Sequence, residues 1–138
     1  MDEVVRSGRA PTPVGAYPHA RRVGNLLFLS GIGPRVPETN EIPGNVVDAD
    51  GTVVRHDIAK QCHQVFANIR TILDDAGSGW ERMVDVTVFL TDMKGDFATF
   101  NRIYAEYFTT NQPARTTVEV QALPTAIAIE LKVVATVS

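Results

Sequence analysis

Arg115 and Glu130 are the two side chains of this chain whose types and spacing suggest chemistry. They lie in Pro113-Ala-Arg-Thr-Thr-Val-Glu-Val120, followed by Leu123-Pro124 and then Ile129-Glu130. Residues 117–120 and 127–137 are rich in β-branched side chains and flank a short turn around Leu123-Pro124, which predicts two strands folded back as a hairpin. A turn centred on residues 122–124 would set Arg115 opposite or diagonal to Glu130 on one face. Two uses of such a pair are open. The guanidinium can hold a carboxylate by two parallel hydrogen bonds while the glutamate positions and deprotonates a water, a hydrolytic arrangement without a metal. Alternatively the two form an ordinary cross-strand ion pair, of little consequence if exposed.

The elements that must position this pair are legible from period and punctuation. Val23 to Ser30 is apolar and ends at Gly31, a buried strand closing on a residue that permits close approach of a ligand. Residues 33–52 carry prolines 34, 37 and 43 and several glycines, a loop with Asp50-Gly51 as a hairpin turn before Val53-Val54. Asp57 then caps an amphipathic helix whose stripe runs Ile58, Cys62, Val65, Ile69, Leu73 and Ala76 and stops at Gly77. Val84, Val86, Val88 and Leu90 alternate with Met83, Asp85, Thr87 and Phe89, a strand with one apolar face. A second helix, capped by Asp96, turns Phe97, Phe100, Tyr104 and Phe108 inward. Two helices on one face of a mixed sheet, class α+β, follow from this order. The uncovered face of such a sheet needs burial, which makes self-association reasonable.

Composition narrows the function classes. At 138 residues one domain spanning 1–138 is expected. A net charge of −3 and a pI near 5.5 argue against a nucleic-acid or anionic-membrane surface. The single cysteine, Cys62, allows no internal disulfide and no Cys cluster for zinc, and reads as a small core residue. No metal site is expected, since His56 and His63 lack ligand spacing and read as surface or helix-flank residues. No apolar run reaches the length of a membrane span or signal peptide, so a cytoplasmic protein is expected.

The segment 113–130, together with Gly15-Ala-Tyr17, Leu29-Ser30-Gly31, Asn68-Ile69, Val88-Phe-Leu-Thr-Asp-Met93 and Phe97-Ala-Thr-Phe-Asn101, resembles the reactive intermediate deaminase family, also called RidA or YjgF. The matches cover roughly residues 14–136 in order. The resemblance implies a chorismate mutase-like α+β fold and a homotrimer with active sites between subunits. It implies hydrolysis of a small enamine or imine carboxylate without a cofactor. It assigns Arg115 to the substrate carboxylate, Glu130 to the attacking water, and Tyr17, Ser30, Gly31 and Asn101 to the pocket. The Thr116 amide and the Thr117 side chain stand at further ligand positions, the latter where many members have cysteine.

Three departures suggest a specialised substrate. Pro18-His19 stands where serine-glutamine is usual, Ser30-Gly31 is followed by Ile-Gly-Pro-Arg35, and Lys132 replaces a common second glutamate. The loop 35–55 is also enlarged. Added positive charge suits a second carboxylate, which would otherwise be desolvated unpaired. These features are similar to the 2-aminomuconate deaminase branch, with Arg35, Arg22 or Lys132 meeting the distal acid. The alternatives are a general deaminase of 2-aminoacrylate-type enamines and a non-catalytic trimer that binds small acids. His19, two residues from Tyr17, is a titratable group near the pocket.

Overall fold

The computed structural model describes residues 2–137. Strands β1 (Asp2–Val5), β2 (Ala20–Val23) and β3 (Leu26–Leu29) open the chain, followed by a small hairpin of β4 (Val46–Val47) and β5 (Val53–Arg55). Then come α1 (Ile58–Asp75), a 3-10 turn at Trp80–Arg82, β6 (Met83–Leu90), α2 (Met93–Tyr107), β7 (Ala114–Glu119) and β8 (Ile129–Thr136). The main sheet has the order β1-β2-β3-β8-β6-β7, mixed, with both helices on one face. This is the α+β architecture the sequence predicts.

The hairpin expected between residues 117–120 and 127–137 does not form. β7 pairs in parallel with β6, Arg115 facing Val86, while β8 pairs antiparallel with the other edge of β6, Glu130 facing Phe89. The cause is the strand-helix-strand unit β6–α2–β7: a helical crossover returns the chain parallel to the strand it left, so β7 must lie beside β6. Residues 120–128 then carry the chain across the end of β6 to its free edge.

The core lies between sheet and helices. Leu27 and Leu29, Val86, Val88 and Leu90, and Ile129, Leu131, Val133 and Ala135 point to the helices, and all are almost fully buried. α1 answers with Cys62, Val65, Phe66, Ile69, Ile72 and Leu73. Burial pushes the Cys62 thiol up to about 12, so the side chain behaves as a small hydrophobe. Phe66 meets the rings of Trp80, Tyr104, Tyr107 and Phe108. Trp80 closes the helix-to-strand turn, its indole donating to the Tyr107 carbonyl.

Two local readings need correction. A register shift lies between Met83 and Asp85, so Val84 is the extra residue of a bulge: it turns outward and Met83 inward, reversing the alternation expected at that end of β6. Asp92, not Asp96, caps α2, accepting from the Gly95 amide. Asp96 is buried one turn on and pairs with His56 at 2.7 Å, so His56 ties the start of α1 to α2. No helix among the described residues is long and apolar enough to cross a membrane.

Candidate active site

Glu130 lies on the sheet face away from the helices, beside the loop that follows β3. Gly31 touches it: a Cβ at residue 31 would fall 2.7 Å from Glu130 Oε2, so only glycine lets the carboxylate settle there. Tyr17, Arg35, Val14 and the loop residues Pro124, Thr125 and Ile127 complete a cleft around it. Ser30 borders the adjoining cavity with Tyr17, Gly31 and Arg35, its hydroxyl donating to the Pro18 carbonyl at 2.7 Å. Burial raises the pKa of Glu130 above the usual carboxylate value. Lys132, expected to meet a distal carboxylate, lines neither cavity and donates to the Leu29 carbonyl at 2.6 Å.

The helix α1 holds the walls of this cleft. Asn68, buried on its sheet side, donates to both the Gly33 and Arg35 carbonyls at 2.9 Å. Gln61 accepts from the Ala128 amide, fixing the end of the 120–128 loop. The Arg35 guanidinium is anchored by Asn40 Oδ1 and the Thr12 carbonyl, which leaves three of its five N–H donors free. Arg22 lines neither cavity and donates to the Gly24 carbonyl in the β2–β3 turn, so it is not a partner for a ligand in this cleft.

Arg115 occupies a different place. It sits on the edge strand β7 with its side chain on the helix face, because its register partner Val86 is buried there. Its guanidinium lies 4.7 Å from the Tyr104 ring centroid, 5.3 Å from that of Phe100 and 5.9 Å from that of Phe97. Asn101 Oδ1 accepts from one of its terminal nitrogens at 2.9 Å. Both residues line a groove with Tyr104, Gln112 and Pro113. The aromatic shelf went unread in the sequence, where these rings pass as core. Their spacing on a helix that leads directly into β7 is the signal that could have placed them under the arginine.

Thr117 shares the helix-facing side of β7, and its hydroxyl is buried without a partner; so is the Tyr104 hydroxyl. The Tyr104 phenol is pushed up to about 12 by burial, against the lowering effect of Arg115. Thr116 points to the opposite face. Within one protomer, therefore, Arg115 and Glu130 lie on opposite faces of the sheet with β6 between them, and the expected juxtaposition on neighbouring strands is absent. One half presents a carboxylate in a cleft, the other a guanidinium with donors to spare.

This fold, with its glycine-backed glutamate and edge-strand arginine, defines a small α+β protein with a carboxylate cleft on one sheet face and an arginine groove on the other. The chain belongs to the Ribonuc_L-PSP family (endoribonuclease L-PSP), matching it over residues 7–137. It is 41% identical over 133 residues to a RutC family protein of Pyrococcus abyssi, covering 96% of this chain and 95% of the relative. It is 38% identical over 134 residues to the chloroplastic Reactive Intermediate Deaminase A of Arabidopsis thaliana, covering 97% of this chain and 65% of that protein. Among solved structures, Escherichia coli TdcF with bound serine superposes with a TM-score of 0.84 at 30% identity over 99% of each chain.

Proposed function

We propose that this chain is a cytoplasmic, cofactor-independent deaminase that hydrolyses enamine and imine carboxylic acids. In this reading a homotrimer completes each site. Arg115, Asn101, the Thr116 amide and Thr117 come from one copy, and the Tyr17, Ser30, Gly31, Arg35 and Glu130 cleft from its neighbour. The observation that carries the proposal is Glu130, an acid raised above its usual pKa by burial and held against Gly31 in an open cleft. A carboxyl raised by burial is the stronger base, better able to take a proton from water than an exposed glutamate. The names of the relatives support the class, one being a Reactive Intermediate Deaminase and another holding serine, itself a small carboxylic acid.

Arg115 grips the substrate carboxylate by a fork of hydrogen bonds, with Asn101 and the aromatic shelf setting the plane of the guanidinium. A proton taken from solvent by the enamine carbon gives the iminium ion. Glu130 takes a proton from water as the water oxygen bonds to the iminium carbon, and passes it to the nitrogen as the carbon–nitrogen bond breaks, while the new hydroxyl returns its proton to solvent and becomes the 2-oxo carbonyl. One water enters and one ammonia leaves, giving the 2-oxo acid.

Within this class we favour 2-aminomuconate, a six-carbon dicarboxylate from aromatic-compound degradation, converted to 4-oxalocrotonate. The spare donors of Arg35 beside Glu130 support a second acid group, whereas Lys132 lies outside both cavities with its ammonium on the Leu29 carbonyl and is the weaker candidate. The rival is 2-aminoacrylate, the three-carbon enamine of general deaminases; a non-catalytic trimer binding small acids is the third reading. Ammonia release from both freshly generated compounds discriminates. Faster turnover of the dicarboxylate, lost in Arg35→Ala, supports the specialised enzyme, and equal or better turnover of 2-aminoacrylate rejects it. Undiminished ammonia release by Glu130→Gln would sink the water-activation mechanism for every substrate.

A further inference from the structure

His19 is buried, and both of its ring nitrogens are engaged. The Ser7 amide donates to Nδ1 at 2.9 Å, so Nδ1 carries the lone pair; Nε2 then bears the hydrogen and donates to the Pro11 carbonyl at 2.8 Å. Only this neutral tautomer satisfies both contacts. A proton added at Nδ1 would confront the Ser7 N–H, donor against donor.

The two bonds fasten a strap, residues 7–13, across the entrance of β2. The strap is also a wall of the candidate site. Pro11 and Pro13 line the cavity with Tyr17, Ser30, Gly31 and Arg35, and the Thr12 carbonyl accepts from the Arg35 guanidinium at 2.7 Å. We infer that His19 is a proton-sensitive latch: protonation of its ring releases the strap, frees the Arg35 guanidinium from Thr12 and loosens the cleft around Glu130 as pH falls.

The charged groups facing the ring come from three elements. Asp75, at the end of α1, favours a cationic ring, but it is held by the Ser7 hydroxyl at 2.6 Å and by the Arg9 guanidinium of the strap. Arg35, from the loop after β3, shares the cavity and opposes a second cation. The residue just after β3 adds only an uncharged contact, the Ser30 amide donating to the His19 carbonyl. A glutamine in place of His19 would offer one acceptor and one donor and would not titrate. The histidine converts a permanent fastening into a conditional one, and it acts as a positioning residue.

The test is His19→Gln, read by amide hydrogen exchange of residues 7–13 between neutral and mildly acidic pH. Acidification should open the wild-type strap about tenfold more than the variant's, the equivalent of one buried hydrogen bond given up. KM for deamination should rise by a similar factor in the wild type and not in the variant. Glu130 titrates in both proteins, so an equal acid response in the two overturns the latch. In the wild type alone, NMR must show Ser7 amide protection falling in step with the His19 ring titration; protection that persists on the charged ring also overturns it. The kinetic consequence rests on the deaminase reading, whereas the exchange result decides the latch even if no enamine is turned over.

Discussion

At the scale of single residues, Glu130 sets chemistry against stability. Its pKa is raised on folding, so the folded protein holds this proton more tightly than the unfolded chain does. Its favourable contribution is complete below the ordinary glutamate range and is lost as pH rises through the folded value. Glu130→Gln is therefore expected to melt higher than the wild type at neutral pH, by less than about 1 kcal/mol for a half-buried group, with the difference vanishing in acid. Thermal melts across that range check the sign. Tyr104 gives a cleaner case, because its buried hydroxyl has no partner. Tyr104→Phe removes a desolvated polar group and keeps the ring under Arg115. We expect stability to hold or rise by up to about 1 kcal/mol in chemical denaturation, with affinity for small acids unchanged. Residue types were the legible part of this site: a forked cation, a carboxylate and a glycine at a strand end announce themselves. What the types could not reveal was that Gly31 and Glu130 touch while Arg115 and Glu130 do not, since contact belongs to strand order and not to spacing.

At the scale of elements, the two helices and most strands were readable because the stripe on α1 and the alternation on β6 are written in apolar residues. The closing hairpin was misread because two neighbouring strands in sequence resemble a hairpin whenever the turn between them is polar and contains proline. The strand-helix-strand unit preceding them held the contrary information, as a helical crossover demands a parallel neighbour. Val84 was misassigned for a related reason: an extra residue in a bulge shifts every side chain before it to the other face. Polar residues inside the α1 stripe carried a signal that apolar counting ignores. Asn68 is buried because it bonds two loop carbonyls, so Asn68→Ala should orphan both. The expected cost is about 1–3 kcal/mol by urea denaturation. KM should rise as well, because the backbone of Arg35 is one of the two anchors lost.

For the whole molecule, the sheet face opposite the helices is the outstanding surface. Leu26 and Phe28 are each 37% exposed there, and Val84 on β6 and Val118 on β7 are exposed on the same face. An apolar face of this kind is covered in a stable assembly or becomes a liability. On the trimer reading, Phe28→Asp is expected to shift the sedimenting species from trimer to monomer while leaving the helix content of the protomer intact. A wild-type protein that sediments as a monomer would refute the shared site.

The position of β6 between the arginine strand and the glutamate strand has a genetic counterpart. If the halves of a site reside on different copies, two inactive chains can rescue each other. A protein lacking only Arg115 and one lacking only Glu130, each silent alone, would regain about a quarter of the intact sites when unfolded together and reassembled in equal amounts. Two lesions carried in one chain and mixed with nothing else would regain none. The boundary of the functional unit, on this view, runs through the protomer and not around it.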